Sequence, residues 1–131
     1  YVVRYQADRR GLAALALTTD SSLLTAAAND LGFDQVFARQ VEALGRAGDC
    51  LLAISTSGNS PNVVRAAEVA KRAGMVVIGL LGRDGGRLAS MCDLPIIVPE
   101  NSTARIQEAH IFIGHTICGL TEQALGLART A

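Results

Sequence analysis

The chain has 131 residues, one domain's worth; half are apolar and only 4% aromatic, so its core must be built from Ala, Val, Leu and Ile. Twelve Lys and Arg balance twelve Asp and Glu, and the resulting formal net charge of zero leaves no basic stripe for nucleic acid or anionic membranes. A neutral chain rich in small apolar residues also tends to self-associate, which fits an oligomer. No apolar run reaches the roughly 18 residues of a membrane span, and the opening YVVRYQADRRG has no signal-peptide core. Cys50, Cys92 and Cys118 are widely spaced and form no CxxC pair, so they are expected as buried small hydrophobes in a reducing compartment, and the location as cytoplasmic.

In chain order, the first apolar run is LAALAL at 12–17, taken as a strand after eleven residues of no clear class. Asp20 is placed to cap a helix over about 21–28, and QVFARQVEALG repeats Val36, Phe37, Val41 and Leu44 at helical spacing before Gly45 stops it. CLLAIS at 50–55 is the second predicted strand. The helix after it has the clearest signals: Ser60 at the N-cap, Pro61 at the first position, Val63, Val64, Ala67 and Ala70 as the apolar face, a Glu68 to Arg72 pair, then Gly74.

MVVIGLL at 75–81 and LPIIVP at 94–99 complete four predicted strands, with a glycine turn and a short helix in LGRDGGRLASMCD between them. Each run is continuous, as expected for strands buried on both faces of a parallel sheet. Alternation with helices predicts a three-layer αβα sandwich, flavodoxin-like, over residues 1–131 as one domain.

A last helix is expected from about Ala104 to Leu125, started by Ser102 or Thr103 and ended at Gly126. Ile106, His110, Ile113, Ile117, Leu120 and Ala124 fall three and four apart, while Ile111, Phe112 and Cys118 lie on another side. A helix apolar on two sides needs covering on both, by its own sheet and by another subunit.

Function concentrates in STSGNS, where β-type sequence gives way to a helix. In an open α/β sheet, ligands bind beyond the carboxyl ends of the strands. Ser55, Thr56, Ser57 and Ser60 bring four hydroxyls to the positive end of a helix dipole, and Gly58 lets backbone N–H groups approach an oxyanion. The pattern suits a phosphate monoester held by neutral donors; for any one serine taken alone, turn-forming or capping is the simpler account. No GK[ST] follows and there is no GxGxxG, which excludes a Walker motif and a dinucleotide fingerprint.

The run GDCLLAISTSGNSPNVVRAAEVAKRAGMVVIGLLGRDGG, with TDSSLLTAAANDLGFDQVFARQVEALGRAGD before it and VPENSTARIQEAHIFIGHTICGLTE after it, resembles the sugar isomerase (SIS) family. The similarity covers essentially the whole chain from RYQADRR onward. It is strongest to the branch that interconverts sedoheptulose 7-phosphate and a heptose 7-phosphate for lipopolysaccharide.

The resemblance implies that Ser55, Thr56, Ser57 and Ser60 form the sugar-phosphate loop and that Asn29 and Asp30 contact the substrate's polar chain, where residues alone suggest a helix-ending turn. It places Arg4 near the active site, where a solvated charge is the plain alternative, and makes Gln107 and His115 two ligands of one zinc per subunit. His115 is also implied as a proton carrier. Eight residues, roughly 12 Å of helix rise, separate those two, so spacing alone does not reveal a metal. His110 exemplifies the common case of a histidine held in a core.

The family pattern also has a segment like GNGGSAxDAxHxxxE, which would stand immediately before YVVRYQ and supply a further serine, a metal-binding histidine and the catalytic glutamate. The chain is therefore expected to lack the family's N-terminal helices and first strand. A homotetramer is implied as well. Two other SIS roles share much of the pattern: a non-catalytic partner of the bacterial replication initiator, which shares RIQE but typically has asparagine at the position of His115, and a plain sugar-phosphate-binding module.

Overall fold

The computed structural model describes residues 1–127. They form two compact units, one from Leu17–Ile106 and the other from Tyr1–Ala16 with the residues from Gln107 on. The larger unit holds α1 (Ser21–Leu31), a 3-10 turn (Phe33–Gln35), α2 (Ala38–Leu44), β1 (Cys50–Ser55), α3 (Pro61–Arg72), β2 (Val76–Gly82), α4 (Gly86–Ala89) and β3 (Leu94–Val98). The boundary falls inside α5 (Thr103–Ala124).

The α/β architecture with a parallel sheet is the one observed. Three strands lie in the order β1-β2-β3, both pairs parallel, with Ser55 opposite Leu81 and Leu81 opposite Ile97. Alternate residues of one sheet face, Ala53 and Ser55 of β1 with Val77 and Leu81 of β2, are buried, and α3 packs there through Val64, Ala67 and Ala70. Alanines at that contact let the helix backbone approach the strands closely, and Val41, Met75 and Leu88 close the cluster around it. On the opposite face Leu52, Ile54, Val76 and Leu94 remain about half exposed.

The helices start and stop largely where the caps predict. Asp20 accepts from the Leu23 amide at 2.9 Å, and α1 runs on to Leu31 because nothing before Gly32, at φ 90°, breaks it. Gly45 ends α2, which begins only at Ala38; the 3-10 turn precedes it, and Val36 and Phe37 of the predicted helix lie between the two. In α3 the expected Glu68 to Arg72 pair gives way to one with Arg65 at 2.9 Å, three residues back, and Glu68 also has Arg87 at 3.9 Å. A carboxylate at that position can reach either turn, and the neighbouring α4 draws it to the side of Arg87.

The expectation of a first strand at 12–17 is not met. Residues 11–16 carry no regular structure; Leu12 donates to the Tyr1 carbonyl at 3.2 Å, and Leu15 is well exposed. A short continuous apolar run is ambiguous by periodicity, and composition took the place of a ladder that these residues do not form. The cysteine expectation also fails in part: Cys50 is exposed, and Cys92 and Cys118 are half-buried. Partial burial first, and the nearby Asp93 carboxylate second, push the thiol of Cys50 above its ordinary range.

The smaller unit is built on a carboxylate. Glu122 is 2% exposed. One of its oxygens accepts from the Tyr5 amide at 3.0 Å and from Arg9 Nε at 2.9 Å; the other accepts from the Gln6 and Ala7 amides at 3.2 and 3.1 Å. Arg9 also reaches the carbonyls of Tyr1, at 2.6 Å, and Arg10, at 3.0 Å. Burial by itself would raise the Glu122 pKa, but the three amides and the guanidinium outweigh it and bring it from 4.5 down to about 2. An otherwise irregular N-terminal segment is thus held to α5 by hydrogen bonds to one ionised group.

Candidate functional site

Ser55 ends β1 and is buried; Pro61 begins α3 six residues later, so the loop between must turn within a few residues. Gly58 makes that turn at φ 64°, and its amide donates to the Ser55 carbonyl at 3.2 Å. A Cβ there would lie 1.9 Å from the Gly85 carbonyl oxygen, so only glycine fits. The loop is clamped to α4 by two bonds: the Leu88 amide donates to the Gly58 carbonyl at 3.0 Å and the Arg87 amide donates to Asn59 Oδ1 at 3.0 Å. Within the loop, Asn59 Nδ2 donates to the Ser57 carbonyl at 3.0 Å. Gly86, at φ 51°, leaves the space that Asn59 occupies.

Ser60 stands at the N-cap position with extended backbone, yet its hydroxyl makes no capping bond. Its Oγ instead pairs with Ser55 Oγ at 2.9 Å, while the Val63 amide donates to Oδ1 of its neighbour Asn62 at 2.9 Å. The cap was the simpler account of Ser60, and the geometry replaces it with a hydroxyl pair at the mouth of the helix. Two hydroxyls 2.9 Å apart share one hydrogen, which leaves the second to point at an acceptor. Ser57 Oγ accepts from the Asn59 amide at 3.2 Å, so its own hydrogen is also available to an anion.

Beside this loop, at the carboxyl ends of all three strands, lies a cleft of about 560 Å³ lined by Ser57, Asn59, Arg83, Asp84, Pro99, Glu100 and Asn101. Ser57 is the one predicted phosphate-loop residue in that lining; Ser55, Thr56 and Ser60 do not line it. Arg83 escaped the sequence reading. It has φ 58°, the left-handed region, alone among the described non-glycine residues. Glu100 accepts from the Asn101 and Ser102 amides at 2.6 and 2.8 Å, and these bonds, Ser102's first, hold its carboxyl below the usual range. One guanidinium against the carboxylates of Asp84 and Glu100 does not make the cleft an anion sink by charge. Selection for a phosphate therefore rests on the hydroxyls and amides of the loop.

The remaining predicted residues fall elsewhere. Asn29 and Asp30 are exposed near the end of α1, and Asn29 Nδ2 donates to Asp30 Oδ1 at 2.8 Å. Arg4, Gln107 and His115 belong to the smaller unit, and all three are exposed. His110, by contrast, is buried, as a core histidine should be.

Gln107 and His115 lie more than two turns apart on α5. Among the described residues there is no group of three or more His, Cys, Asp or Glu side chains that could hold a metal ion. The residues present do not by themselves make a zinc centre.

His115 has a neighbour that sequence reasoning missed. The Tyr5 ring lies over its imidazole, centroids 5.7 Å apart and planes 25° from parallel. The available signal was on α5 itself: Ile111, His115, Cys118 and Glu122 follow at steps of four, three and four, so a carboxylate continues a partly apolar side and needs a partner. RYQADRR, rich in donors and without a predicted element, was the candidate.

Comparison with known proteins bears on the family and the fold. A model of the SIS domain matches residues 2–82. The phosphoheptose isomerase of Trichlorobacter lovleyi is 55% identical over 124 residues, covering 95% of this chain and 63% of the relative. That of Pelobacter propionicus is 57% identical over 124 residues, covering 95% and 66%. Among solved structures, the phosphoheptose isomerase GmhA of Neisseria gonorrhoeae superposes with a TM-score of 0.85 at 55% identity, over 86% of this chain and 63% of that one. A phosphoheptose isomerase of Francisella tularensis gives 0.86 at 45%, over 88% and 62%. The chain spans just under two thirds of the length of these relatives.

Proposed function

The chain belongs to the SIS domain family, and on that premise we propose that it is a sugar-phosphate isomerase of the phosphoheptose isomerase kind. It would interconvert sedoheptulose 7-phosphate and D-glycero-D-manno-heptose 7-phosphate, supplying heptose for lipopolysaccharide. The reading has residues 1–131 acting as one SIS domain of a cytoplasmic homotetramer. No described helix is long and apolar enough to cross a membrane.

The observation that carries the reading is the hydroxyl loop. Ser55, Thr56, Ser57 and Ser60 stand between the end of β1 and the first turn of α3, held open by Gly58 and by the Asn59 bonds, with a hydroxyl pair in place of a helix cap. A phosphate monoester there would accept from hydroxyls and helix-end amides without drawing on a lysine. Names of relatives at 55% identity support the same class of ligand.

The chemistry assigned to the other residues is proton movement. For the ketose to become an aldose, a proton leaves carbon 1 and another is delivered to carbon 2, through an enediol. The carbon 2 carbonyl becomes a hydroxyl and the carbon 1 hydroxyl becomes the aldehyde, so the atoms balance. His115 suits one of the two acid–base roles because imidazole both donates and accepts near neutral pH, and it is exposed to a ligand. The family's glutamate, in the GNGGSAxDAxHxxxE-like segment, is assigned the other.

Asn29, Asp30 and Arg4 are assigned to the sugar's polar chain. Gln107 and His115 would be two of the ligands of a zinc ion, which would polarise the substrate oxygens. The described residues do not complete its site, so no step is assigned to it.

The test is turnover of sedoheptulose 7-phosphate by a protein carrying the GNGGSAxDAxHxxxE-like segment ahead of Tyr1. His115→Ala should abolish isomerisation while leaving sugar-phosphate binding. Full activity in that variant would refute the assignment. Binding without turnover in the parent would favour a sugar-phosphate-binding module instead. Capture of the replication initiator with no sugar-phosphate binding would favour the non-catalytic SIS role.

A further inference from the structure

We propose that Tyr5 is a positioning residue for His115, and that Glu122 acts as the anchor that keeps Tyr5 in place. The inference rests on the isomerase reading for its consequence, but its geometry stands independently of that reading.

His115 is exposed on α5, and an exposed imidazole on a helix samples several rotamers. A proton carrier must instead keep one nitrogen aimed at the reacting carbons, since misplacement by an ångström is costly. The Tyr5 ring supplies a wall. Its centroid is 5.7 Å from that of the imidazole and the planes are 25° apart, an offset stack within the range of favourable aromatic pairs. The stack restricts rotation of the imidazole while leaving both ring edges, where the nitrogens lie, open to other groups.

Tyr5 itself belongs to a segment without regular secondary structure, so something other than a ladder must fix it. The Glu122 carboxylate does so. It takes the amides of Tyr5, Gln6 and Ala7 and the guanidinium of Arg9, two turns along the same helix from His115. Anchor and imidazole thus share one rigid element, and the ring between them is held through its own backbone.

Gly119, one turn beyond His115, completes the seat: a Cβ there would stand 3.5 Å from Tyr5 Cε1, so the tyrosine ring lies over the bare backbone. Tyr1 gives a second tie, its hydroxyl 3.1 Å from that of Thr121. Five hydrogen bonds to α5 side chains converge on residues 1–9, more than capping a helix end would need.

The experiment pairs a spectroscopic readout with a kinetic one. In the chain itself, the His115 ring protons should appear upfield in NMR spectra because they lie over the Tyr5 face. Tyr5→Phe should keep that shift, and Tyr5→Leu should lose it. Tyr5→Leu leaves the backbone amide on Glu122 intact, so the cradle survives. Gly119→Val, which pushes the ring from the other side, serves as a second perturbation should the first fail to fold.

In the protein with the upstream segment, Tyr5→Leu should lower kcat about three- to tenfold, the worth of one aromatic pair, with KM nearly unchanged, and Tyr5→Phe should restore it. Unaltered ring-proton shifts in Tyr5→Leu, or an unaltered kcat once the shift is lost, would overturn the positioning role. A parent protein that retains the upfield shift but shows no turnover would overturn the isomerase reading alone.

Discussion

The hydroxyl loop and the Glu122 cradle solve the same problem, holding irregular backbone in one conformation, by opposite means. The loop uses neutral groups close in sequence: residues 55–60 bond among themselves and to the amides of 87 and 88, and glycines at 58, 85 and 86 provide the closeness. The cradle uses one buried charge to gather residues more than a hundred positions away. A neutral loop can bind and release an anion without leaving an unpaired charge behind. A buried carboxylate, once paired four ways, is too costly to open, and so suits an anchor.

The largest expected effect breaks the anchor. Glu122→Gln replaces an acceptor oxygen with a donor facing amides that already donate, and leaves Arg9 without its counter-charge. A fall in Tm on the order of 10 °C should follow in a thermal melt, with the N-terminal amides losing protection from hydrogen exchange. The native carboxyl has its pKa lowered from 4.5 to about 2, so its contribution is fully present above pH 4.5 and fades as pH falls toward 2. Melts across that window should show an acid loss in the parent that the variant lacks. A pH-independent difference between the two proteins would contradict the account.

Next comes the turn that shapes the loop. In Gly58→Ala a methyl group would meet the Gly85 carbonyl at 1.9 Å while φ stays at 64°, so either the loop or the α4 turn must move. Destabilisation of about 2–4 kcal/mol is expected by denaturant titration, together with loss of sugar-phosphate binding. If binding survived the substitution, the loop would not be the phosphate site. Ser55→Ala tests the same loop more gently. It removes one member of the hydroxyl pair, and should cost about 1 kcal/mol of stability while weakening phosphate binding about tenfold.

These two regions also mark where the sequence was legible. The start of α3 at Ser60 and Pro61, its apolar face through Val64, Ala67 and Ala70, and the hydroxyl cluster were readable because period and turn chemistry act within one or two turns, whereas the capping bond expected of Ser60 is not made. The loop's clamp to Gly85 and Arg87 was not, since nothing in STSGNS says which turn it will touch. LAALAL was misread because a continuous apolar run does not distinguish a strand from an irregular segment. Glu122 was missed because a lone glutamate near a helix end ordinarily faces water, and only the fold shows what it receives. The α5 pattern could point to RYQADRR as the partner of Glu122, but not to Tyr5 beside His115, since 110 positions separate the two rings that stack.

The smallest effect sharpens the contrast between neutral and charged devices. Arg83 holds φ 58° at the rim of the cleft that Ser57 and Asn59 also line, a conformation that costs a side-chain-bearing residue and that glycine adopts freely. Strain at such a place is kept for a reason or relieved without loss. Arg83→Gly should relieve it, raising stability by up to about 1 kcal/mol, less the greater freedom of glycine in the unfolded chain. If the hydroxyls select the phosphate, affinity for a sugar phosphate should fall by no more than a few fold, and the salt dependence of binding should weaken. A loss of a hundredfold would instead mean that the guanidinium, and not the loop, carries the anion, and the division between a neutral binding device and a charged structural one would fail at its binding end.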